Sequence, residues 1–240
     1  PYAGKNFIAR KFSGEMEVSV EDVKALFTQF LTSTELKEVG KIISKRLGRK
    51  LEAYDIWYDG FKPRSNLDET KLDSQIQKLY PNAEAFKAGL PSLLTHLGFT
   101  PERANEICDK IAVDAARGSG HAWGAAMKGQ QSHLRTRIPA EGMNYKGYNI
   151  AVHEFGHNVE QTISMYNVDN FMMAGVPNTA FTEALAFVFQ KRDLQLLGIE
   201  NNDPEKDKMD ILDKFWSLYE IMGVSMLDIS IWEWLYANPN

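Results

Sequence analysis

The sequence predicts a mainly α-helical protein with a small β-sheet, an α+β fold. Apolar residues recur at helical spacing through most of the chain, which favours amphipathic helices. This spacing lapses between about residues 117 and 146, where glycine and proline become frequent and strands are expected. The composition, 44% hydrophobic and 25% charged over 240 residues, is that of a globular protein with one large or two small domains.

The first half of the chain is predicted to be a series of amphipathic helices. They are expected at about residues 19–32, 34–48, 67–80, 82–97 and 100–117. Thr100-Pro101 supports the start of the last helix, because a threonine cap followed by proline in the first turn favours helix initiation. Residues 1–117 are therefore assigned to a helical subdomain.

Residues 118–240 are assigned to a second domain, in which strands precede further helices. Strand character is expected in residues 131–138 (QSHLRTRI), and helices at about residues 146–166, 179–197, 204–222 and 224–236. The chain ends directly after an aromatic-rich helical stretch, so we expect the natural protein to continue past Asn240. Several aromatic residues at helical spacing are predicted to lie in the core: Trp57, Tyr58, Trp216, Trp232 and Trp234.

Composition narrows the classes of partner. With 27 lysines and arginines against 32 acidic residues, the net charge of −5 gives no reason to expect a nucleic acid. The sequence has no run of eighteen apolar residues, so a membrane span is not expected. The single cysteine, Cys108, excludes internal disulfides and leaves both a cytoplasmic and an exported location open. Nothing in the sequence specifies an oligomeric state.

The sequence HEFGH, residues 153–157, is the motif that indicates a chemistry. Side chains four apart on a helix face the same side, so His153 and His157 can reach one metal ion, most suitably zinc. Glu154 lies roughly 100° around the helix, where it can reach a metal-bound water as a general base. The alternative is that both histidines are satisfied by hydrogen bonds in the core.

A catalytic zinc site needs a third protein ligand. Glu160 lies roughly 10 Å along the helix from His153, too far to share the ion. Asp169 falls in a polar stretch where an Asx turn or a helix cap is an alternative role. Glu183 is favoured, because it is the single acid in the first ten residues of a strongly apolar helical stretch that Asn178-Thr179 caps. Its alternative role is a favourable interaction with the helix dipole.

With these residues the chain resembles the gluzincin zinc peptidases, in particular the thimet oligopeptidase and oligoendopeptidase F group. HEFGH is a common form of the motif in that group, and a helix carrying the glutamate ligand follows it. Residues 118–129 (GSGHAWGAAMKG) also resemble, less closely, a stretch upstream of the motif in angiotensin-converting enzyme. The metzincin pattern does not fit, because Glu160 and Ile163 stand where it has glycine and histidine.

The resemblance implies a zincin-like metallopeptidase core and a role for each matching residue. His153, His157 and Glu183 would bind one Zn²⁺ ion, and Glu154 would activate the water that attacks a peptide carbonyl. His121 and Ala122 would lie along the peptide substrate. The related enzymes pair extended peptide with an edge strand before the motif, and residues 131–138 are expected to supply that strand.

The chain departs from the gluzincin pattern in two respects. Phe187 stands where thermolysin-like members have an acid that orients a zinc histidine, so this support must come from elsewhere. The Tyr and His donors of the related enzymes are not identifiable, since no histidine follows His157 and Tyr219 and Tyr236 lie in apolar stretches. The alternatives are therefore a non-catalytic zinc-bearing domain that binds peptide, an incomplete catalytic core, or a helical scaffold without metal.

Overall fold

Helices and one small sheet make up the described chain, which confirms the α+β prediction. The structure, a computed structural model, describes residues 6–61, 69–170, 172, 173, 179–199 and 204–239. The helices are α1 (Phe7–Ala9), α2 (Val20–Leu31), α3 (Thr34–Leu47), α4 (Glu69–Leu79), α5 (Ala83–His96), α6 (Pro101–Cys108), α7 (Tyr145–Asn167), α8 (Thr179–Gln190), α9 (Asp193–Leu196) and α10 (Lys206–Ala237). The strands are β1 (Ile111–Ala116), β2 (His121–Trp123) and β3 (Ser132–Arg137). A π-helical turn covers Arg10–Met16 and a 3₁₀ turn covers Ala53–Trp57.

Helices α2, α3, α5, α6 and α7 each begin after a residue whose side chain accepts a hydrogen bond from a backbone N–H of the first turn. These caps satisfy donors that have no partner inside the helix. The capping residues are Ser19, Ser33, Asn82, Thr100 and Asn144. The cap predicted at Asn178, and residues 67 and 68 of the helix predicted at 67–80, lie outside the described residues.

The prediction of one helix over residues 100–117 is wrong. Helix α6 ends at Cys108, and strand β1 follows from Ile111. The ammonium group of Lys87 donates hydrogen bonds to the carbonyl oxygens of Cys108 and Ile111, which stabilises the turn between the two elements. Strand β1 then pairs in parallel with β3, a long-range interaction that overrides local helix propensity.

Three other predictions differ from the structure. The helix expected at 179–197 is divided into α8 and α9 by a turn at Lys191 and Arg192. The helices expected at 204–222 and 224–236 are one continuous helix, α10. Trp216 is buried, as predicted, but Trp57 and Trp234 are 67% and 63% exposed, so the prediction that they lie in the core is wrong. In the part of the chain that the structure describes, no helix combines the length and the apolar character needed to cross a membrane.

The chain divides into two compact units. Unit 1 comprises Pro1–Arg64 with Asp203–Asn240, and unit 2 comprises Ser65–Asn202. This division differs from the boundary predicted after residue 117, since β1 and β3 pair across that boundary. In unit 1, buried residues of α3 and α10 pack together around Ile43, Phe61 and Trp216.

Unit 2 is built around helix α7. Its sheet has the order β1-β3-β2, with β1 parallel and β2 antiparallel to the central strand β3. Burial alternates along β3, and its buried Leu134 joins Val152, Phe155 and Val159 of α7 in one apolar core. Helix α7 contacts both β3 and α8. It therefore positions the sheet and α8 on either side of the motif residues that it carries.

Candidate metal centre

Helix α7 presents the motif residues on its half-buried side. The core side of the helix carries Val152, Phe155 and Val159. The side chains of His153 and His157 are 16% and 14% exposed. The amphipathic pattern that forms the helix therefore also leaves both imidazoles at the border between core and solvent. The two rings have centroids 4.9 Å apart.

Helix α8 brings Glu183 to these rings because Gly156 allows a close approach. A Cβ atom on Gly156 would lie 2.8 Å from the Cα of Ala186 and 3.3 Å from Cγ of Phe189. Only a glycine fits this contact without movement of α8. The motif glycine thus has a structural role that the sequence pattern alone did not reveal.

The three side chains predicted as metal ligands converge. Nε2 of His153 lies 3.4 Å from Oε2 of Glu183, and Nε2 of His157 lies 3.5 Å from Oε1. One ligand atom from each residue lies within 4.8 Å of the others. Ligand atoms bound to a tetrahedral zinc at about 2.0–2.1 Å are separated by roughly 3.3–3.4 Å. The two His–Glu distances, each to a different oxygen of the carboxylate, are close to this value. Among the described residues, the group contains neither Glu160 nor Asp169.

His157 lies in surroundings that suit a neutral imidazole, and His153 has contacts on two sides of its ring. Burial lowers the pKa of His157, and the nearby Glu183 carboxylate only partly opposes this shift. The neutral form is the one that can coordinate a metal. Nδ1 of His153 lies 3.2 Å from Oε1 of Gln190, and the ring of Phe187 packs edge-on against the imidazole with centroids 5.0 Å apart. Sequence reasoning missed Gln190.

Glu154 is half-buried and faces strand β2. Burial raises the pKa of its carboxyl group, although nearby His153 and a hydrogen bond from the backbone N–H of Ala122 act in the opposite direction. A raised pKa suits a group that accepts and returns a proton near neutral pH. Gly120 makes this position accessible, because a Cβ there would lie 2.4 Å from Cγ2 of Ile150 and 3.2 Å from Oε1 of Glu154.

His121 and Ala122 lie on β2, an edge strand of the described sheet. Ala122 pairs with Leu134 and His121 pairs with Arg135, so the strand runs antiparallel to β3 beside the motif helix. The expectation that residues 131–138 supply the edge strand is wrong. Ser132–Arg137 form the central strand, because β1 and β2 occupy both of its sides.

Asn158 also ties β2 to α7. Its side-chain amide donates weak hydrogen bonds, 3.4 Å long, to the carbonyl oxygens of Trp123 and His133. Together with the Glu154–Ala122 hydrogen bond, this contact fixes the edge strand next to the histidines at two successive points.

We compared the chain with models of protein families, with curated proteins and with solved structures, and none of them matches it.

Proposed function

We propose that the protein is a zinc-dependent peptidase of the gluzincin type, with a zincin-like core in unit 2. The observation that carries the proposal is the convergence of His153, His157 and Glu183 at distances suited to one tetrahedral zinc ion, with Glu154 beside them. The two imidazoles and one carboxylate match the ligand set of catalytic zinc sites that keep a position open for water.

Zinc bound there would lower the pKa of a coordinated water towards neutrality and polarise the scissile carbonyl group. Glu154 accepts a proton from the water as its oxygen bonds to the carbonyl carbon, and returns the proton to the leaving amine as the C–N bond breaks. The raised pKa of Glu154 favours this exchange, because a group that ionises nearer to neutral pH both accepts and donates efficiently.

Strand β2 is suited to hold an extended peptide substrate. Its residues His121–Trp123 lie at the edge of the described sheet and are tied to α7 next to Glu154. A peptide that pairs with the backbone of β2 adds as a further strand, which places its carbonyl groups along the side of the metal centre. Short peptides fit this mode better than folded proteins, whose backbone is already paired.

The test is cleavage of a library of internally quenched peptides by the zinc-loaded chain and by Glu154→Gln. We expect the variant to lose at least about 100-fold in kcat/KM, as for loss of a general base, and to bind zinc as the wild type does. Glu160→Gln is the matched control, since Glu160 lies on the same helix, is half-buried and also has its pKa raised by burial. Glu160→Gln should retain activity; no cleavage by the zinc-loaded wild type contradicts the proposal.

A second candidate, a zinc-bearing domain that binds peptide without cutting it, is favoured by the position of two tyrosines. Tyr219 packs beside Trp216, and the hydroxyl of Tyr236 accepts a hydrogen bond from the backbone N–H of Phe7, so both are engaged within unit 1. Peptide binding measured by calorimetry, without cleavage, would support this candidate.

A further inference from the structure

The contact between His153 and Gln190 selects one tautomer of the imidazole. The oxygen of a side-chain amide can only accept, so the 3.2 Å contact between Nδ1 of His153 and Oε1 of Gln190 requires the ring hydrogen on Nδ1. Nε2 is then left with a lone pair, and it is Nε2 that lies 3.4 Å from Glu183. A metal ligand needs this arrangement.

The orientation of the Gln190 amide is itself fixed by a chain of hydrogen bonds. Nε2 of Gln190 donates to Oδ1 of Asn149 at 2.7 Å, and Nδ2 of Asn149 donates to Oδ2 of Asp193 at 2.7 Å. An ionised carboxylate can only accept hydrogen bonds. The direction of every donor and acceptor between Asp193 and His153 therefore follows from the carboxylate at the end of the chain.

Asp193, at the end of this series of hydrogen bonds, is buried and held by several further contacts. It is 6% exposed, and its carboxylate also accepts hydrogen bonds from the hydroxyl of Tyr145 at 2.7 Å and from the backbone N–H of Leu194 at 2.6 Å. The hydroxyl of Tyr148 donates to the backbone carbonyl of the same residue at 3.0 Å. These contacts leave Asp193 little freedom to change its hydrogen-bond partners.

We infer that Gln190, Asn149 and Asp193 form a positioning relay that holds His153 in the tautomer needed for coordination through Nε2. The inference rests on the proposed zinc site. In thermolysin-like gluzincins, an acid at the position of Phe187 accepts the hydrogen bond that orients a zinc histidine. Phe187 makes only an apolar contact with the ring of His153, and the relay supplies the acceptor instead. Gln190 and Asn149 lie on α8 and α7, the helices that carry the ligands themselves.

The first experiment measures zinc affinity by competition with a chelator. Gln190→Met keeps the length of the side chain but removes its acceptor, and we expect zinc affinity to fall by roughly 10- to 100-fold. Gln190→Glu keeps an acceptor for Nδ1 but loses the donor to Oδ1 of Asn149, so its zinc affinity should lie between those of Gln190→Met and the wild type. Gln195→Met makes the same chemical change at an exposed glutamine of α9 and should leave zinc affinity unchanged.

The second experiment reads the tautomer of His153 directly, by ¹⁵N NMR of the metal-free protein at a pH where the ring is neutral. The wild type should carry its hydrogen on Nδ1. Asn149→Ala leaves both polar partners of the His153 ring, Gln190 and Glu183, in place. It frees the Gln190 amide to turn, so the population with hydrogen on Nε2 should increase. This variant also tests the relay if Gln190→Met does not fold.

The outcomes separate the two proposals. A hydrogen on Nε2 in the wild type, an unchanged tautomer in Asn149→Ala, or equal zinc affinities for Gln190→Met and Gln195→Met would overturn the relay. A protein that shows the expected tautomers and zinc affinities but cuts no peptide contradicts only the proposed catalysis. A wild type that binds no zinc overturns both.

Discussion

Glu154 lies half-buried beside β2, and this position destabilises its charged form. Because burial raises its pKa above the ordinary value of 4.5, the folded protein holds this proton more tightly than the unfolded chain does. Stability from this group is therefore greatest at low pH and decreases as the pH rises through the interval between the unfolded and folded pKa values. At neutral pH the ionised carboxylate weakens the metal-free fold.

Replacing Glu154 by Gln should consequently increase the free energy of unfolding of the metal-free protein at pH 7. The gain should disappear below pH 4.5, where the carboxyl group of the wild type is protonated in both states. Urea unfolding of the two proteins at pH 7 and at pH 4 measures the difference. An equal difference at both pH values would show that ionisation of Glu154 is not its cause.

At the level of residues, the sequence was informative where a chemical requirement fixes spacing. His153 and His157 could be predicted because metal ligands on a helix must share one face, and Glu154 because it stands beside the first histidine in the motif. Glu183 was predicted as an acid that faces burial in an apolar helix, but its side chain is 45% exposed, so burial is not what places it beside the histidines. Gln190 could not be predicted. Its role depends on the distance between α7 and α8, and a glutamine has many other uses on a helix.

Helices α7 and α8, which carry the histidines and Glu183, approach each other closely at Gly156. An alanine in a helix usually stabilises it relative to glycine, by roughly 0.5–1 kcal/mol. At position 156 the added Cβ would lie 2.8 Å from backbone of α8, so the contact must open.

Substitution of Gly156 by Ala should therefore destabilise the protein by about 1–3 kcal/mol, the range for overpacking, and should weaken zinc binding. Urea unfolding and chelator competition measure the two effects. Gly223→Ala is the matched control, since Gly223 lies within α10 and nothing stands within 4 Å of its added Cβ. An increase in stability for both variants would be evidence against the close approach as the basis of the site.

Among the elements, α2, α3, α5 and α7 were predicted from apolar periodicity alone, and in the structure each of them also begins after a capping residue. The strands were harder to predict. The segment Ile111–Ala116 was expected to continue the helix that begins at residue 101, because its apolar spacing suits a helix. Its strand could not be predicted locally, because its parallel partner, Ser132–Arg137, lies beyond a second strand in the sequence. Which strand forms the edge also depends on pairing order, which short strands do not encode locally.

Cys108 provides a probe of unit 2 as a whole. Its thiol is 1% exposed in the core that also contains Phe155 and Phe189 of the ligand-bearing helices, and burial raises its pKa to about 12. Reaction with a thiol reagent therefore requires this core to open. Any ligand that binds only the folded unit makes opening less frequent.

Zinc at 100 times its Kd should thus slow the labelling of Cys108 by up to about 100-fold, the equivalent of roughly 2.7 kcal/mol. The labelling rate is measured with a chromogenic disulfide reagent, with and without zinc. Glu183→Gln serves as the control, because loss of a ligand should leave its labelling rate much less sensitive to the metal. A zinc-independent rate in the wild type would contradict a metal site within this unit.

For the whole molecule, the fold class followed from composition and periodicity, but the division into units did not. Residues 6–61 and 204–239 contribute to one core although more than half of the chain separates them. Trp216 packs with Ile43 and Phe61, and its indole N–H donates to the backbone carbonyl of Asp55. Pairings at this separation leave no signature in the local pattern of either segment.

The interrupted course of unit 1 has a consequence for synthesis on the ribosome. Unit 2 is continuous in sequence, so all of its residues are translated before α10. The N-terminal helices must wait for α10 to complete their core, and until then their apolar faces are exposed to chaperones and proteases. The unit that carries the candidate metal centre can thus fold first, while the two segments of unit 1 meet later.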